Sequence, residues 1–209
     1  LLNKKAQDPR KQKELYQLIK TGLLCNNARF ERDGKEINYL GDPTEISLVS
    51  SAMDLGISKK DLTSKEPTIK KLEFDSERKL MSVIRTNGRT NTIYTKGAPE
   101  KLLKICDSEL INGQIVNLSQ KRKRELIEKL KEFEAQALRV LGFAYRTTNK
   151  KTIPTEKGLI FLGFAGMIDP PRPEIKDAIA MCKSAGIKVK MITGDSLITA
   201  KTIAKRIGI

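Results

Sequence analysis

An α+β fold, built on a mainly antiparallel sheet with flanking helices and followed by a partial α/β segment, is predicted by three features of the sequence. Between Ile69 and Lys96 apolar residues come in strand-like runs that break at Asn87-Gly88, the dipeptide of a tight hairpin. A second such turn, Asn112-Gly113, lies in "ELINGQIVNL". The last fifty residues change character and run strand, helix, strand, helix. A chain of 209 residues can bury a substantial core and has room for two unequal domains.

Residues 9–25 are predicted to form a helix, with Asp8 as cap, Pro9 in the first turn, and Leu15, Leu18, Ile19, Gly22 and Leu23 on one face. A second helix begins in "GDPTEISLVSSAMDLGI", where Asp42 suits the N-cap and Pro43 the first helical position. Glu45, three residues after the cap, fits a capping box, which gives it a purely local role. Leu72 and Phe74, Val83 and Ile84, and Thr92 to Tyr94 mark three strands. A long helix from about Ser119 to Ala137 carries the stripe Leu126, Leu130, Phe133 and Ala137, and "RVLGFAYR" then reads as a strand. Pro173 starts a helix with Ile175, Ala178, Ile179 and Cys182 inward, ended by Gly186. "IKVKMI" alternates as a strand up to Thr193-Gly194-Asp195, and Leu197, Ala200, Ala204 and Ile207 line one side of a last helix. Taken locally, residues 159–168 and 187–192 read as neighbouring parallel strands of one sheet.

Composition narrows the chemistry. Forty basic against twenty-five acidic side chains give a net charge of +15, which attracts polyanions: nucleic acid, an acidic membrane face or a phosphorylated small molecule. The basic run Lys121 to Arg124 reads as a solvated helix end. With no histidine, common zinc sites and Ser-His or Cys-His nucleophile pairs are disfavoured, and no metal site is expected. Cys25, Cys106 and Cys182 are odd in number and lack metal spacing, which suits reduced core residues in a cytosolic setting. No apolar run approaches the roughly 20 residues needed to cross a bilayer, and Leu1 to Lys5 lack the core of a signal peptide, so a soluble chain is expected. The Walker pattern GxxxxGK[ST] is missing, which excludes a P-loop enzyme.

Nucleotide binding needs a flat surface for the base, cations for the phosphates and backbone that allows close approach. Phe74 leads into the polar run Asp75 to Lys79 and combines the first two, although an ordinary core phenylalanine is the plainer local reading. Lys96 precedes Gly97, which leaves space beside the ammonium, and Pro99-Glu100 then start a helix whose first amides favour anions. Read alone, Lys96 equally suits an exposed lysine at a strand end, and Arg139 a snorkelling arginine. Thr193-Gly194-Asp195, at a strand tip, offers a hydroxyl, free backbone and a carboxylate to a phosphoryl group with magnesium.

Five stretches in order, "GDPTE" at 41–45, "EFDSERKLMSV" at 73–83, "KGAPE" at 96–100, "ALRVLGFAYR" at 137–146, and "GMIDPPRPEI" with "KMITGD" at 166–175 and 190–195, resemble P-type cation-transporting ATPases of the calcium-pump-like branch. The resemblance implies a nucleotide-binding domain over 1–168, short of its first strands, and from 169 to 209 a hinge and part of a Rossmann-like, dehalogenase-like phosphorylation domain. On that likeness Phe74 would stack on adenine, Glu45 would meet its amino side, and Lys79 and Lys96, beside Gly97, would line the pocket. Arg139 would pair with a phosphate, Asp169 and Arg172 would sit at the hinge by the ribose, and Thr193, Gly194 and Asp195 would approach the transferred phosphoryl group. The implied cofactors are ATP and Mg2+. The implied partners are the phosphorylation, actuator and membrane parts of a pump on the cytosolic side of a membrane, with this portion a monomer and without nucleic acid.

The likeness also assigns 159–168 and 187–192 to different domains, against the local reading, since Asp-Pro-Pro favours a rigid linker. Asp-Lys-Thr-Gly-Thr, whose aspartate takes the phosphate in the family, does not occur, so these residues alone are expected to bind nucleotide without turning it over. Ser76 stands where calcium pumps of the animal reticulum carry an arginine, which implies weaker affinity. Two other classes compete. A basic nucleic-acid-binding module predicts aromatics interleaved with arginines, whereas aromatics are 5% and scattered. A dehalogenase-type phosphatase, suggested by 187–209, needs a nucleophilic aspartate on an earlier strand of the same sheet.

Overall fold

The computed structural model describes residues 11–33, 36–136, 138–168, 172, 174–194 and 197–209. The expected cap Asp8-Pro9, and Ala137, Asp169, Pro173 and Asp195, lie outside the described residues. Two compact units divide the chain, one of residues up to 123 with 141–165, the other of 124–140 with 166–209.

The first unit begins with α1 (Lys13–Leu24), whose last turn is fully buried. A two-stranded antiparallel hairpin follows, β1 (Arg29–Asp33) with β2 (Glu36–Leu40). Then comes α2 (Pro43–Asp54), where the Asp42 carboxylate accepts from the Thr44 and Glu45 N–H groups and satisfies two amides that have no partner within the helix. A short α3 (Lys59–Lys65) is capped by the Ser58 hydroxyl.

The central sheet takes β3 (Thr68–Asp75), β4 (Leu80–Thr86) and β5 (Thr90–Gly97), then α4 (Pro99–Ile105), β6 (Cys106–Ile111), β7 (Gln114–Asn117), α5 (Gln120–Glu134), β8 (Arg139–Asn149) and β9 (Leu159–Met167). Its seven strands run in the order β3-β4-β5-β8-β9-β6-β7. β3–β4, β4–β5, β5–β8 and β6–β7 pair antiparallel, and β6–β9 pair parallel. The hairpin turn at Asn112-Gly113 has both φ angles positive, 50° and 74°, as a two-residue connection matched to strand twist requires.

On one face of the sheet Leu24 of α1 and Cys25, which caps its end, pack with Met81, Val83 and Tyr94. A neighbouring cluster joins Leu23, Ala28, Val49, Ala52 and Ile57, tying α1 to α2. A third links Leu110, Phe143 and Leu162 under Leu18 and Leu48. The polar groups within this face are paired: Tyr94 donates to Glu66 Oε2 at 2.5 Å, Lys20 meets Glu66, and Arg85 donates to the Leu24 and Glu66 carbonyls.

In the second unit α6 (Ile175–Ser184) turns the buried Ile179 inward and packs against α7 (Leu197–Ile207). Thr202 and Arg206 of α7 donate to the carbonyls of Ala135 and Gln136. The strand expected at 187–192 does not form: these residues carry no ladder, and Ile192 is 96% exposed. A strand buried in a parallel sheet needs neighbours to satisfy its amides and cover its side chains, and alternation in "IKVKMI" does not supply them. Residues 159–167, read locally as its partner, are instead β9 of the large sheet.

Candidate functional site

Lys96 lies on β5 opposite Met81 of β4, so both side chains point to the face covered by α1. The side chain is buried, at 7% exposure, contrary to the plain expectation of an exposed strand-end lysine. Its ammonium donates to the Glu45 carboxylate, itself 13% exposed. Glu45 stands in the first turn of α2, where the Asp42-Pro43 start sets it, and its Oε2 also accepts from the Asn27 N–H at 3.0 Å. Its carboxylate thus makes tertiary contacts beyond the capping role read from its spacing.

The Asn26–Ala28 segment is woven into this pair. Asn26 Nδ2 donates to the Glu45 carbonyl at 2.9 Å, and Asn26 Oδ1 accepts from Ala28 N–H at 2.8 Å. Asn27 Nδ2 donates to Glu73 Oε2, and Lys71 donates to Asn27 Oδ1, both at 2.9 Å. Lys59 donates to the Asn26 carbonyl, Asn26 Oδ1 and the Ala28 carbonyl. Beneath the pair the Cys25 thiol donates to the Met81 carbonyl, and burial pushes it up to about 12 against the opposing pull of Lys96.

Phe74 reaches this face through a bulge. Leu72 pairs with Ser82 and Asp75 with Leu80, so Glu73 and Phe74 together oppose the single residue Met81. An extra residue breaks the strict alternation and re-aims the side chain that follows. Without it Phe74 would share the opposite face with Ser82; with it, Phe74 sits two strands from Lys96, roughly 10 Å by strand spacing. Its ring is 63% exposed, which overturns the core reading.

The loop after Phe74 is built from its own polar groups. Asp75 Oδ1 accepts from the Arg78 N–H at 2.8 Å and the Glu77 N–H at 3.0 Å, and these bonds, that of Arg78 foremost, hold the carboxyl below its ordinary range. Arg78 donates both to Glu156, at 2.7 and 2.8 Å, and to the Glu73 carbonyl at 2.8 Å, while Ser82 donates to Glu156 at 2.6 Å. Lys79 turns the chain at φ 54°, and its carbonyl accepts from the Ala98 N–H at 2.9 Å. A Cβ on Gly97 would lie 2.2 Å from that carbonyl oxygen, so only glycine permits the approach. Lys79 and Gly97 are thereby neighbours through their backbones.

The structure brings together Glu45, Lys96, Gly97, Lys79 and, by the bulge, Phe74. The helix that starts at Pro99 has seven residues, and its Lys101 and Leu102 N–H groups donate to the Ala98 carbonyl. Arg139, which opens β8, and Arg172, Thr193 and Gly194 belong to the second unit and are exposed; Asp169 and Asp195 lie outside the described residues. Among the described residues no cluster of three His, Cys, Asp or Glu is placed to hold a metal ion. Sequence reasoning missed Asn26, Asn27, Lys59, Lys71 and Glu73, for which the polar end of α1 at "CNN" is the one local signal.

A family model described as the P-type ATPase cytoplasmic domain N matches residues 14–174. The chain belongs to this family. It is similar to a cation-transporting ATPase of Synechocystis, 42% identical over 201 residues that cover 93% of this chain and 22% of that protein. It is also similar to a calcium-transporting ATPase of Bacillus subtilis, 42% identical over 209 residues, covering 98% and 24%. A calcium-transporting ATPase of Plasmodium falciparum is 44% identical over 151 residues, 68% and 12%. The chain thus spans a quarter or less of the length of these P-type ATPases. Its observed α+β architecture suits their domain N, and among the described residues no helix is long and apolar enough to cross a membrane.

Proposed function

We propose that this P-type ATPase domain binds ATP between Phe74 and the Lys96–Glu45 pair, and that the whole protein is a pump for calcium, the cation named for several of its relatives. One observation carries the reading: an exposed aromatic ring is turned by a bulge onto the face where a buried lysine and carboxylate meet. The ring offers a stacking platform for adenine. Glu45 keeps unused acceptor capacity for an exocyclic amino group, since an ionised carboxylate has about four lone-pair sites. Lys79 and Lys96 supply positive charge toward the phosphates, and Gly97 leaves the backbone approachable.

In the whole pump Arg139 would contact a phosphate, and Asp169 with Arg172 would form a hinge at the 168/169 boundary, near the ribose. Thr193, Gly194 and Asp195 would belong to a Rossmann-like phosphorylation domain completed by further chain. Domain closure would deliver the γ-phosphoryl group, with Mg2+, to an aspartate outside these residues, giving an aspartyl-phosphate that drives transport. These residues alone bind without turnover, as a monomer, with affinity in the millimolar to high-micromolar range, roughly −4 to −6 kcal/mol.

The test is a titration with a fluorescent ATP analogue of the unmodified chain, Phe74→Ala and Lys96→Ala. Loss of the stack is worth about 1–3 kcal/mol, so Phe74→Ala should weaken binding by about 5- to 150-fold with little change in stability. Unchanged affinity in both variants removes the assigned pocket.

A further inference from the structure

We infer that Lys59 is a positioning residue for the pocket: its ammonium pins the Asn26–Ala28 loop, and that loop's Asn27 N–H orients the Glu45 carboxylate. The inference rests on the reading of Glu45 and Lys96 as a nucleotide site, and adds a residue that touches neither the base nor the phosphates.

Lys59 opens α3, fixed there by the Ser58 hydroxyl, which accepts from the Asp61 N–H at 3.2 Å. Its half-buried ammonium reaches the Asn26 carbonyl at 2.9 Å, Asn26 Oδ1 at 3.1 Å and the Ala28 carbonyl at 2.5 Å. A protonated lysine has three donors and no acceptor, so three oxygens are satisfied by one ammonium. The loop held in this way is joined to α2 twice, by Asn26 Nδ2 at the Glu45 carbonyl and by the Asn27 N–H at Glu45 Oε2. Lys96 approaches the other carboxylate oxygen, Oε1. Glu45 is therefore held between a strand lysine and a loop amide, and the amide's position depends on Lys59. Gly41 packs against the same loop, where a Cβ would lie 3.0 Å from the Ala28 Cα. A loop so closely confined transmits the loss of one anchor.

The charge on Lys59 is sensitive to this setting. Burial lowers its pKa to about 8, Glu45 of α2 opposes the shift, and Lys96 of β5, Arg85 of β4 and Lys71 of β3 add to it. A neutral amine has two donors for three oxygens, so the loop loosens once Lys59 deprotonates. Because the folded protein holds this proton less tightly than a free lysine, deprotonation falls between pH 7 and 9, below the titration of ordinary lysines.

The experiment compares affinity for a fluorescent ATP analogue at pH 7, 8 and 9 in the unmodified chain, Lys59→Met, Lys59→Arg, the exposed neighbour Lys60→Met, and Glu45→Gln, with melting temperatures alongside. Lys59→Met should weaken binding at pH 7 about three- to tenfold, the range that loss of one supporting hydrogen bond gives, while Lys60→Met stays within about twofold. The unmodified chain should lose affinity from pH 7 to 9, and Lys59→Arg, charged throughout, should be flat over that range. If Lys59→Met only melts earlier and binds as tightly as the unmodified chain while Glu45→Gln binds weakly, the positioning role is overturned and the pocket stands. If Glu45→Gln binds unchanged, or the unmodified chain shows no saturable binding, the pocket itself is wrong and the inference falls with it.

Discussion

Replacing Gly97 by alanine tests whether the turn at Lys79 and the lysine at position 96 are locked together by backbone contact. The new Cβ would stand 2.2 Å from the Lys79 carbonyl oxygen and 2.9 Å from the Leu80 Cα, both backbone atoms that cannot rotate aside. The φ of 157° adds conformational cost for any L side chain, about 1–2 kcal/mol. Opening the approach also breaks the 2.9 Å bond from Ala98 N–H to the Lys79 carbonyl, about 1 kcal/mol. The sum, about 2–3 kcal/mol, lowers the melting temperature by roughly 4–12 °C at about 2–4 °C per kcal/mol for a unit of this size. Gly88→Ala is the control: its φ is 84°, yet nothing lies within 4 Å of the added Cβ, so it carries conformational cost alone. Urea and thermal unfolding followed by circular dichroism measure both. Equal destabilisation in the two variants would refute the contact argument.

Two further outcomes follow from paired groups in the sheet. Burial raises the Cys25 and Cys106 thiols to about 12, above an unfolded thiol, so the folded state holds these protons longer. Their contribution to stability is complete below the unfolded pKa and is lost as pH climbs toward 12, with Lys59, depressed to about 8, acting in the opposite sense. Urea midpoints measured from pH 8 to 11 should therefore fall less steeply in a Cys25→Ala, Cys106→Ala double variant; an unchanged slope contradicts the assignment. Glu156→Gln weakens the acceptor shared by Arg78 and Ser82 and should cost about 1 kcal/mol, or roughly 2–4 °C in melting temperature, and a variant as stable as the parent would show the bridge to be idle.

What could be read from sequence was whatever a few adjacent residues decide. Asp42-Pro43 starts α2 as expected, Asn87-Gly88 and Asn112-Gly113 turn hairpins, and the long helix appears as Gln120–Glu134. The hairpin of β1 and β2 passed unread although Asp33-Gly34 announces a turn, because its strands carry charged residues among the apolar ones. The parallel pairing of β6 with β9 joins residues some fifty positions apart and leaves no local trace. At the site, Lys96, Gly97 and Glu45 were legible as types at turns and caps. Their meeting in one place was implied by the family likeness alone and by no local pattern, since a buried ion pair is decided by which strand face and which helix end the fold brings together. The bulge at Glu73-Phe74 was likewise invisible, because it exists only as a mismatch between two strands.

The order of strands carries a consequence for biosynthesis. The β6–β7 hairpin is attached to the sheet through β9, a segment made some forty residues after β7. While a nascent chain emerges from its amino end, β3, β4 and β5 can already zip together, but the hairpin waits unmoored, with Cys106 and Leu110 of β6, both buried in the folded protein, still uncovered. Ribosomal stalling or premature termination before residue 159 would thus release an adhesive product, prone to chaperone capture and degradation.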